Sequence, residues 1–346
     1  MGNRCPHRGL NLSPADTCLP RLDGTTHPPR RVAGRCHLRT IPRPGMDRPP
    51  SQLSRTHTHT DRSGRTRLDS HHRGDTAMTS TTTDPHRTFH SLHIPGNPFI
   101  LPCAWDVASA RLFAEASHPA VGTTSLGVAA GIGAADEDRE TLRAMADLLE
   151  NIRRSLPDAL LTCDFEDGYG DDPATVVETL RGAFAGEGAD LRIDGINIED
   201  SARGRLVEPS ALVGKVSAIK EGFPDLFVNA RIDTYWTGQD SLGDTLERMR
   251  RYVDAGADGI FVPGDLDLAV VKPIVDASPL PVNVLASPRY SRGQFAEVGV
   301  ARISTGSLLY RAAISAAAQS LSGLREDRPA QTANVLTYRT VSQLGD

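Results

Sequence analysis

Carboxylates gather at the ends of three successive apolar runs. Residues 159–170 read A-L-L-T-C-D-F-E-D-G-Y-G, an apolar stretch that breaks into Asp164, Glu166 and Asp167 before a glycine turn. Residues 195–200, G-I-N-I-E-D, end on Glu199 and Asp200, and residues 226–233, L-F-V-N-A-R-I-D, carry Arg231 and Asp233. Side chains of a strand alternate between its two faces. Read as strands, these runs put Asp164 with Glu166 on one face, Asn197 with Glu199, and Asn229 with Arg231 and Asp233. Three carboxylates and a guanidinium converging at neighbouring strand ends suit a hard divalent cation and an anionic substrate.

The elements that must position them form a regular alternation. Strands are expected at 99–103, 120–125, 159–165, 194–199, 226–232, within 256–264, at 281–286 and at 301–307. Helices are expected at 106–116, with Asp106 as N-cap, and at 138–155, where Leu142, Met145, Leu148, Leu149 and Ile152 keep helical spacing. Others are expected at 173–186, 209–221, 241–255, 266–277, 292–297 and 308–321, and a Gly/Ala-rich loop after the second strand. Eight strands, each leading to a helix, predict an α/β fold, a (β/α)8 TIM barrel with an additional C-terminal helical segment. A doubly wound sheet is the alternative, but no G-x-G-x-x-G follows any strand. Polar residues recur at strand C-terminal ends, where barrel enzymes carry their chemistry.

The 346 residues divide by composition. Residues 1–77 hold 14 Arg, no Lys, six Asp and no aromatic Phe, Trp or Tyr, a charge of about +8, which leaves about −13 for the remainder of the −5 total. Such a segment cannot bury enough apolar surface to offset chain entropy, so a disordered basic extension is expected there. A nucleic-acid arm or a transit peptide is the functional reading of it. The alternative is an over-called start, since Met78 opens a more ordinary N-terminus. Residues 78–325 are expected to form the catalytic barrel and 326–346 a C-terminal tail. Cys5, Cys18 and Cys36 do not have zinc-finger spacing. Cys103 and Cys163 fall at strand ends, a usage that implies a reducing cytoplasm. The acidic barrel opposes a phosphate backbone, and no apolar run is long enough for a membrane span.

The sequence D-F-E-D-G-Y-G resembles the D-x-[DE]-x-G-Y-G motif of the isocitrate lyase/phosphoenolpyruvate mutase (phosphonomutase) superfamily. A-W-D-V-A-S-A (104–110), T-S-L-G-V-A-A-G-I-G-A-A-D (124–136), N-I-E-D (197–200) and N-A-R-I-D (229–233) fall in the same order. The resemblance covers about residues 88–325. It implies a Mg²⁺-dependent enzyme (Mn²⁺ as the alternative ion) acting on a small 2-oxo acid or a precursor of one. It implies that Asp164 binds the metal directly while Glu166 and Glu199 hold its waters. Asp136 joins the acidic shell and completes a catalytic set with Arg231 and Glu199. By the same resemblance Arg231 is expected to pair with the substrate carboxylate, to which Thr124, Ser125 and Leu126 would offer hydroxyl and backbone donors. It also implies homotetramers that exchange C-terminal helices. Asn283, on the seventh strand, is expected to face inward and contact substrate. Trp105 and Tyr235 are candidates to wall the pocket, with Trp236 just outside it; each is equally a candidate for core.

The chain departs from the family in one loop. Lyases of the superfamily carry K-[KR]-C-G-H after the fourth strand, and phosphonomutases carry a longer loop with Lys and Asn. Here the loop reads E-D-S-A-R-G-R-L-V-E-P (199–209), with no Cys, His or Lys. Arg203 is either a short gate over the substrate or merely solvated. Three readings follow: a lyase that breaks a C–C bond beside an enolisable 2-oxo or 2-hydroxy acid, an enzyme of C–P chemistry, and a non-catalytic barrel that binds a 2-oxo acid.

Overall fold

The computed structural model describes residues 88–346 apart from 137, 186–191, 240, 331, 333, 345 and 346. The expectations for residues 1–77 and for Met78 lie outside the described residues. A 3-10 turn, His90–Leu92, precedes eleven strand segments: β1 (Phe99–Leu101), β2 (Cys103–Ala104), β3 (Ala120–Thr123), β4 (Leu160–Asp164), β5 (Gly195–Glu199), β6 (Ser201–Ala202), β7 (Arg205–Leu206), β8 (Phe227–Arg231), β9 (Gly259–Phe261), β10 (Val282–Leu285) and β11 (Arg302–Ser304). Ten helices accompany them among the described residues: α1 (Val107–Glu115), α2 (Ser125–Ile132), α3 (Leu142–Ser155), α4 (Pro173–Ala183), α5 (Pro209–Gly222), α6 (Leu242–Asp254), α7 (Leu268–Ala277), α8 (Arg292–Glu297), α9 (Leu308–Arg325) and α10 (Tyr338–Gln343).

Nine of the strands form one parallel sheet in the order β1-β11-β10-β9-β8-β5-β4-β3-β2. β1 and β2 are a single strand interrupted at Pro102, which has no N–H for a ladder. Its first half pairs with β11 and its second with β3, so the ring closes through the proline. The fold is the expected (β/α)8 barrel with a C-terminal helical segment. The Gly/Ala-rich stretch after the second strand is a correction: 125–132 is helix α2, not loop, and only Gly133, at φ 74°, ends it. Gly127 is needed because a Cβ there would meet Trp105 Cβ at 2.8 Å and Thr124 Cγ2 at 2.9 Å. The glycine that resembles a loop signal is a packing contact. Asp106 caps α1 in a capping box with Ser109, as its position implied. No helix among the described residues is long and apolar enough to cross a membrane.

Outward-facing strand residues such as Val121, Leu161, Ile196, Val228 and Ile260 pack against the helices. Their alternates fill the barrel. At its N-terminal end Phe89 and Leu92 plug a small cluster with Leu101, Cys103, Ala120 and Phe227. Above lies a polar layer. Asn229 Nδ2 and an Arg302 terminal nitrogen both donate to Asn197 Oδ1 at 2.9 Å, Arg302 Nε donates to Ser304 Oγ at 2.9 Å, and Ser304 Oγ donates to Asn283 Oδ1 at 3.1 Å. This interior is tightly filled. A Cβ on Gly259 would stand 2.8 Å from Asn229 Oδ1 and 2.9 Å from Phe227 Cζ. Gly259→Ala is therefore expected to lower stability by about 1–3 kcal/mol, the usual cost of overpacking, read as a shift in the urea midpoint with unchanged slope. A shift under about 0.5 kcal/mol would mean the layer yields freely.

His93 supplies an acid-sensitive element at the same end. Its ring stacks on Phe227 at 4.0 Å, its Nδ1 lies 3.0 Å from the Phe89 carbonyl, and its Nε2 is buried with no hydrogen-bond partner among the described residues. Burial first, and then the Arg302 charge, lower its pKa from 6.5 to about 3. The unfolded chain thus binds one more proton than the folded one between about pH 3 and 6.5, so stability falls on acidification across that window. The slope from this residue is about 1.4 kcal/mol per pH unit at most. His93→Phe is expected to flatten the dependence of urea midpoint on pH between 4 and 6; an unchanged slope would remove His93 as its source.

Candidate active site

A cavity of about 700 Å³ opens at the C-terminal ends of the strands. Asp164, the last residue of β4, lines it. Its own N–H donates to Thr123 Oγ1 at 3.0 Å, and its Oδ2 accepts the Ser125 N–H at 3.1 Å. Ser125 opens α2, so the carboxylate sits where a helix N-terminus favours negative charge. Thr124, Ser125, Leu126 and Asp136 line the same cavity, as do Asn197, Glu199 and Arg231. Most of the residues expected from the sequence therefore do meet.

Arg231 is held by a chain of buried carboxylates. One terminal nitrogen lies 2.5 Å from Glu199 Oε2, and its Nε donates to Asp233 Oδ1 at 2.7 Å. Asp233 also accepts from Ser201 Oγ at 2.6 Å, and its N–H donates to Asp200 Oδ1 at 2.8 Å. Asp200 in turn accepts from Arg248 at 3.0 Å and from the Tyr252 hydroxyl at 2.7 Å. Burial opposes the Arg231 charge, but Asp233, Glu199 and Asp164 outweigh it and hold its pKa above the ordinary arginine value. Asp233, which alternation placed beside Arg231, serves as its strut.

Two expected residues stand elsewhere. β4 ends at Asp164, and Glu166 takes a left-handed φ of 48°, so strand alternation does not carry through to it. Glu166 does not line the cavity; it lies buried behind it. Its Oε1 accepts from Thr141 Oγ1 and, at 3.2 Å, from the Tyr169 hydroxyl, while its Oε2 has no partner among the described residues. Burial, reinforced by the charges of Asp164 and Asp136 and opposed by the bond from Thr141, pushes its carboxyl up to about 7. Asn283 faces inward as expected but sits too deep to line the cavity. It is 1 % exposed, paired in register with Arg302, and Leu285, two residues on, takes the lining position.

Asp167 belongs to the turn: Arg139 binds it through Nε at 3.0 Å and also reaches Asp171 at 2.6 Å, and Lys215 Nζ donates to its carbonyl at 2.7 Å. Residues 201–206 form a tight hairpin of β6 and β7, turning at Arg203 (φ 51°) and Gly204 (φ 72°). Arg203 does not line the cavity. Trp236 does, whereas Trp105 packs edge-on to Phe113 and Tyr310, and Tyr235 packs against the core. The sequence reading missed Cys103, Phe261, Leu285, Leu308 and Arg311 as lining residues. Their only signal was position: Cys103, Phe261 and Leu285 lie on strands, and Leu308 and Arg311 in the first turn of the helix that follows the last strand.

Among the described residues no three His, Cys, Asp or Glu side chains form a ready cation cage. The donor set still suits an ion that keeps several waters and needs only one or two direct carboxylates, the habit of Mg²⁺. The donors are hard oxygens, and Glu166, close enough to Asp164 for their charges to interact, keeps a buried oxygen without a partner among the described residues.

The comparisons agree with this architecture. The phosphoenolpyruvate phosphomutase family model matches residues 89–325. An uncharacterized protein of Mycobacterium tuberculosis is 42% identical over 238 residues, covering 67% of this chain and 87% of its own. The 2-methylisocitrate lyase of Escherichia coli is 27% identical over 269 residues, covering 68% and 86%. A crystal structure from Burkholderia cenocepacia, which carries a provisional phosphonomutase assignment, is 36% identical with a TM-score of 0.63, covering 68% of this chain and 97% of its own. With the D-F-E-D-G-Y-G turn, the N-I-E-D strand end and the N-A-R-I-D strand end all opening on one barrel mouth, the chain belongs to the isocitrate lyase/phosphoenolpyruvate mutase superfamily.

Proposed function

We propose that the chain is a Mg²⁺-dependent lyase that cleaves a C–C bond beside a 2-oxo or 2-hydroxy acid and releases a pyruvate-like product. The observation that supports this most is Asp164 lining one cavity with the Glu199–Arg231 pair. Asp164 would hold the ion directly, Glu199 and Asp136 would hold its waters, and Glu166 would stand behind them. When bound, Mg²⁺ supplies Lewis-acid stabilisation of an enolate. The first N–H groups of a helix have no intrahelical partner. Ser125 spends its own on Asp164, which leaves the Leu126 N–H and the Thr124 and Ser125 hydroxyls for the substrate carboxylate. Arg231 places a fixed positive charge where an oxyanion develops, and its buried struts mean it need not reorganise as the charge appears. The 199–209 hairpin offers no Cys, His or Lys as proton donor, so the donor is water or a group on another wall of the cavity.

A second reading, C–P bond chemistry, is favoured by the family model itself. Pyruvate release separates the two when oxaloacetate, phosphonopyruvate, 2-methylisocitrate and dimethylmalate are offered singly, with and without Mg²⁺. Metal-dependent release from a carbon substrate is the expected result. Release from phosphonopyruvate alone would transfer the assignment to C–P cleavage. We further propose a homotetramer built through α9, which buries none of its residues and leaves Ile314, Leu321 and Leu324 more than half exposed.

A further inference from the structure

The cavity has two chemically distinct halves, and the strand order assigns each to one side of the barrel mouth. β3, β4, β5 and β8 are consecutive neighbours, and they or the residues just after them supply Ser125, Asp164, Asn197, Glu199 and Arg231. β9 and β10 follow on the opposite arc. They and their exits supply Phe261, Pro263, Leu285, Ala286 and Pro288, with Leu308 beside them at the start of α9. Among the described residues of β9, β10 and their exits that line the cavity none is a cation; Ser287 and, from the β11 exit, Ser304, Thr305 and Ser307 add only neutral hydroxyls. The arc's one lining acid, Asp265, accepts from Ser287 Oγ at 3.0 Å and pairs with Arg289 at 3.2 Å, and an anionic substituent beside it would be repelled. The cation nearest this arc among the lining residues, Arg311, is exposed on α9.

Size points the same way. A volume of about 700 Å³ is that of a pocket for a drug-sized ligand, far more than the three-carbon fragment that Asp164 and Arg231 would hold. Filling the surplus with a carboxylate or phosphonate would desolvate a charge against Phe261, Leu285 and Pro263 with only neutral hydroxyls and the exposed Arg311 to meet it, which is less favourable than a fully paired charge. Filling it with hydrocarbon removes apolar surface from water on both sides.

We infer that the substrate is a 4-hydroxy-2-oxo acid whose C4 carries an extended uncharged apolar substituent, an alkyl or aryl chain seated on Phe261, Leu285 and Leu308, and not a second acid group. Breaking C3–C4 leaves its electron pair on C3 as the enolate, the C4 hydroxyl gives its proton to water, and the chain departs as an aldehyde. This rests on the lyase reading above for the position of the acid end.

The test is equilibrium binding to the full chain with Mg²⁺, by calorimetry. The probes are oxalate, oxaloacetate, phosphonopyruvate and the unbranched 2-oxo acids from 2-oxobutyrate to 2-oxooctanoate. Affinity is expected to rise about fourfold per added methylene, on the order of a hundredfold across the series, and to exceed that for either diacid. Leu308→Asp, at a position 41% exposed and tolerant of a polar residue, is expected to flatten the series, as is Leu285→Arg. A flat series with tighter oxaloacetate or phosphonopyruvate, while oxalate still binds in an Asp164-dependent way, would overturn the apolar assignment and leave the lyase reading standing. Loss of Asp164-dependent binding for oxalate and all 2-oxo acids alike would overturn both.

Discussion

Asp164→Asn is expected to reduce Mg²⁺-dependent kcat/KM by at least about a thousandfold, roughly 4 kcal/mol of transition-state stabilisation. It should weaken Mg²⁺ binding by a comparable order without unfolding the protein. The substitution preserves shape and keeps an amide oxygen to accept the Ser125 N–H, now at 3.1 Å from Oδ2, so α2 retains its anchor. What it removes is the negative charge. Asp164 repels Glu166 but also supports the buried charge of Arg231 and sits at the N-terminus of α2, so its neutralisation relieves one interaction and weakens two others, and the melting temperature should move little. A drop in activity with no drop in stability separates a metal-holding role from a structural one. Turnover and Mg²⁺ affinity within about threefold of the parent would remove Asp164 from the metal site.

The reason that so much of this site was legible in the sequence is that strands announce themselves twice, by apolar runs and by what stands at their ends. Asp164, Glu199 and Arg231 lie at or beside the last strand residue, where the period of two and the barrel's geometry leave little freedom. The failures have the complementary cause. Glu166 is only two residues beyond Asp164, yet the chain has already left the strand and turned left-handed, so a period of two no longer says where its side chain goes. Asn283 obeys the alternation and faces inward, but alternation gives direction and not depth. Which inward layer forms the cavity floor depends on the stagger between strands, here the register that sets Asn283 opposite Arg302 and Leu285 opposite Ser304. Helix α2 hid behind Gly127 and Gly131, since a glycine kept for close packing against Trp105 is written the same way as one kept for a turn. The apolar arc on β9 and β10 left no motif, because Phe, Pro and Leu at a strand exit also look like scaffold.

Arg231→Lys is expected to lower kcat by about a hundredfold to a thousandfold while Mg²⁺ affinity stays within a few-fold of the parent. The two carboxylates it serves, Glu199 at 2.5 Å and Asp233 at 2.7 Å, are both buried and approach different nitrogens of the guanidinium. A lysine offers one point charge and cannot span both. One carboxylate therefore loses its partner, and breaking a buried pair costs about 3–5 kcal/mol, so a lowered melting temperature is expected alongside the kinetic defect. Asp233 has further donors from Ser201 and is locked to Asp200, which makes it the tighter competitor for the ammonium. The charge would then be drawn away from the cavity side, and the loss should fall on kcat more than on KM, because the developing oxyanion and not the bound ground state loses its counter-charge. Ser201→Ala provides the control: it weakens the same strut through Asp233 while leaving the guanidinium in place, so it should share part of the stability loss with little of the kinetic one. If the Lys variant melts lower yet turns over at the parent rate, Arg231 acts as a strut for the barrel mouth, and the charge that stabilises the oxyanion must come from elsewhere in the cavity.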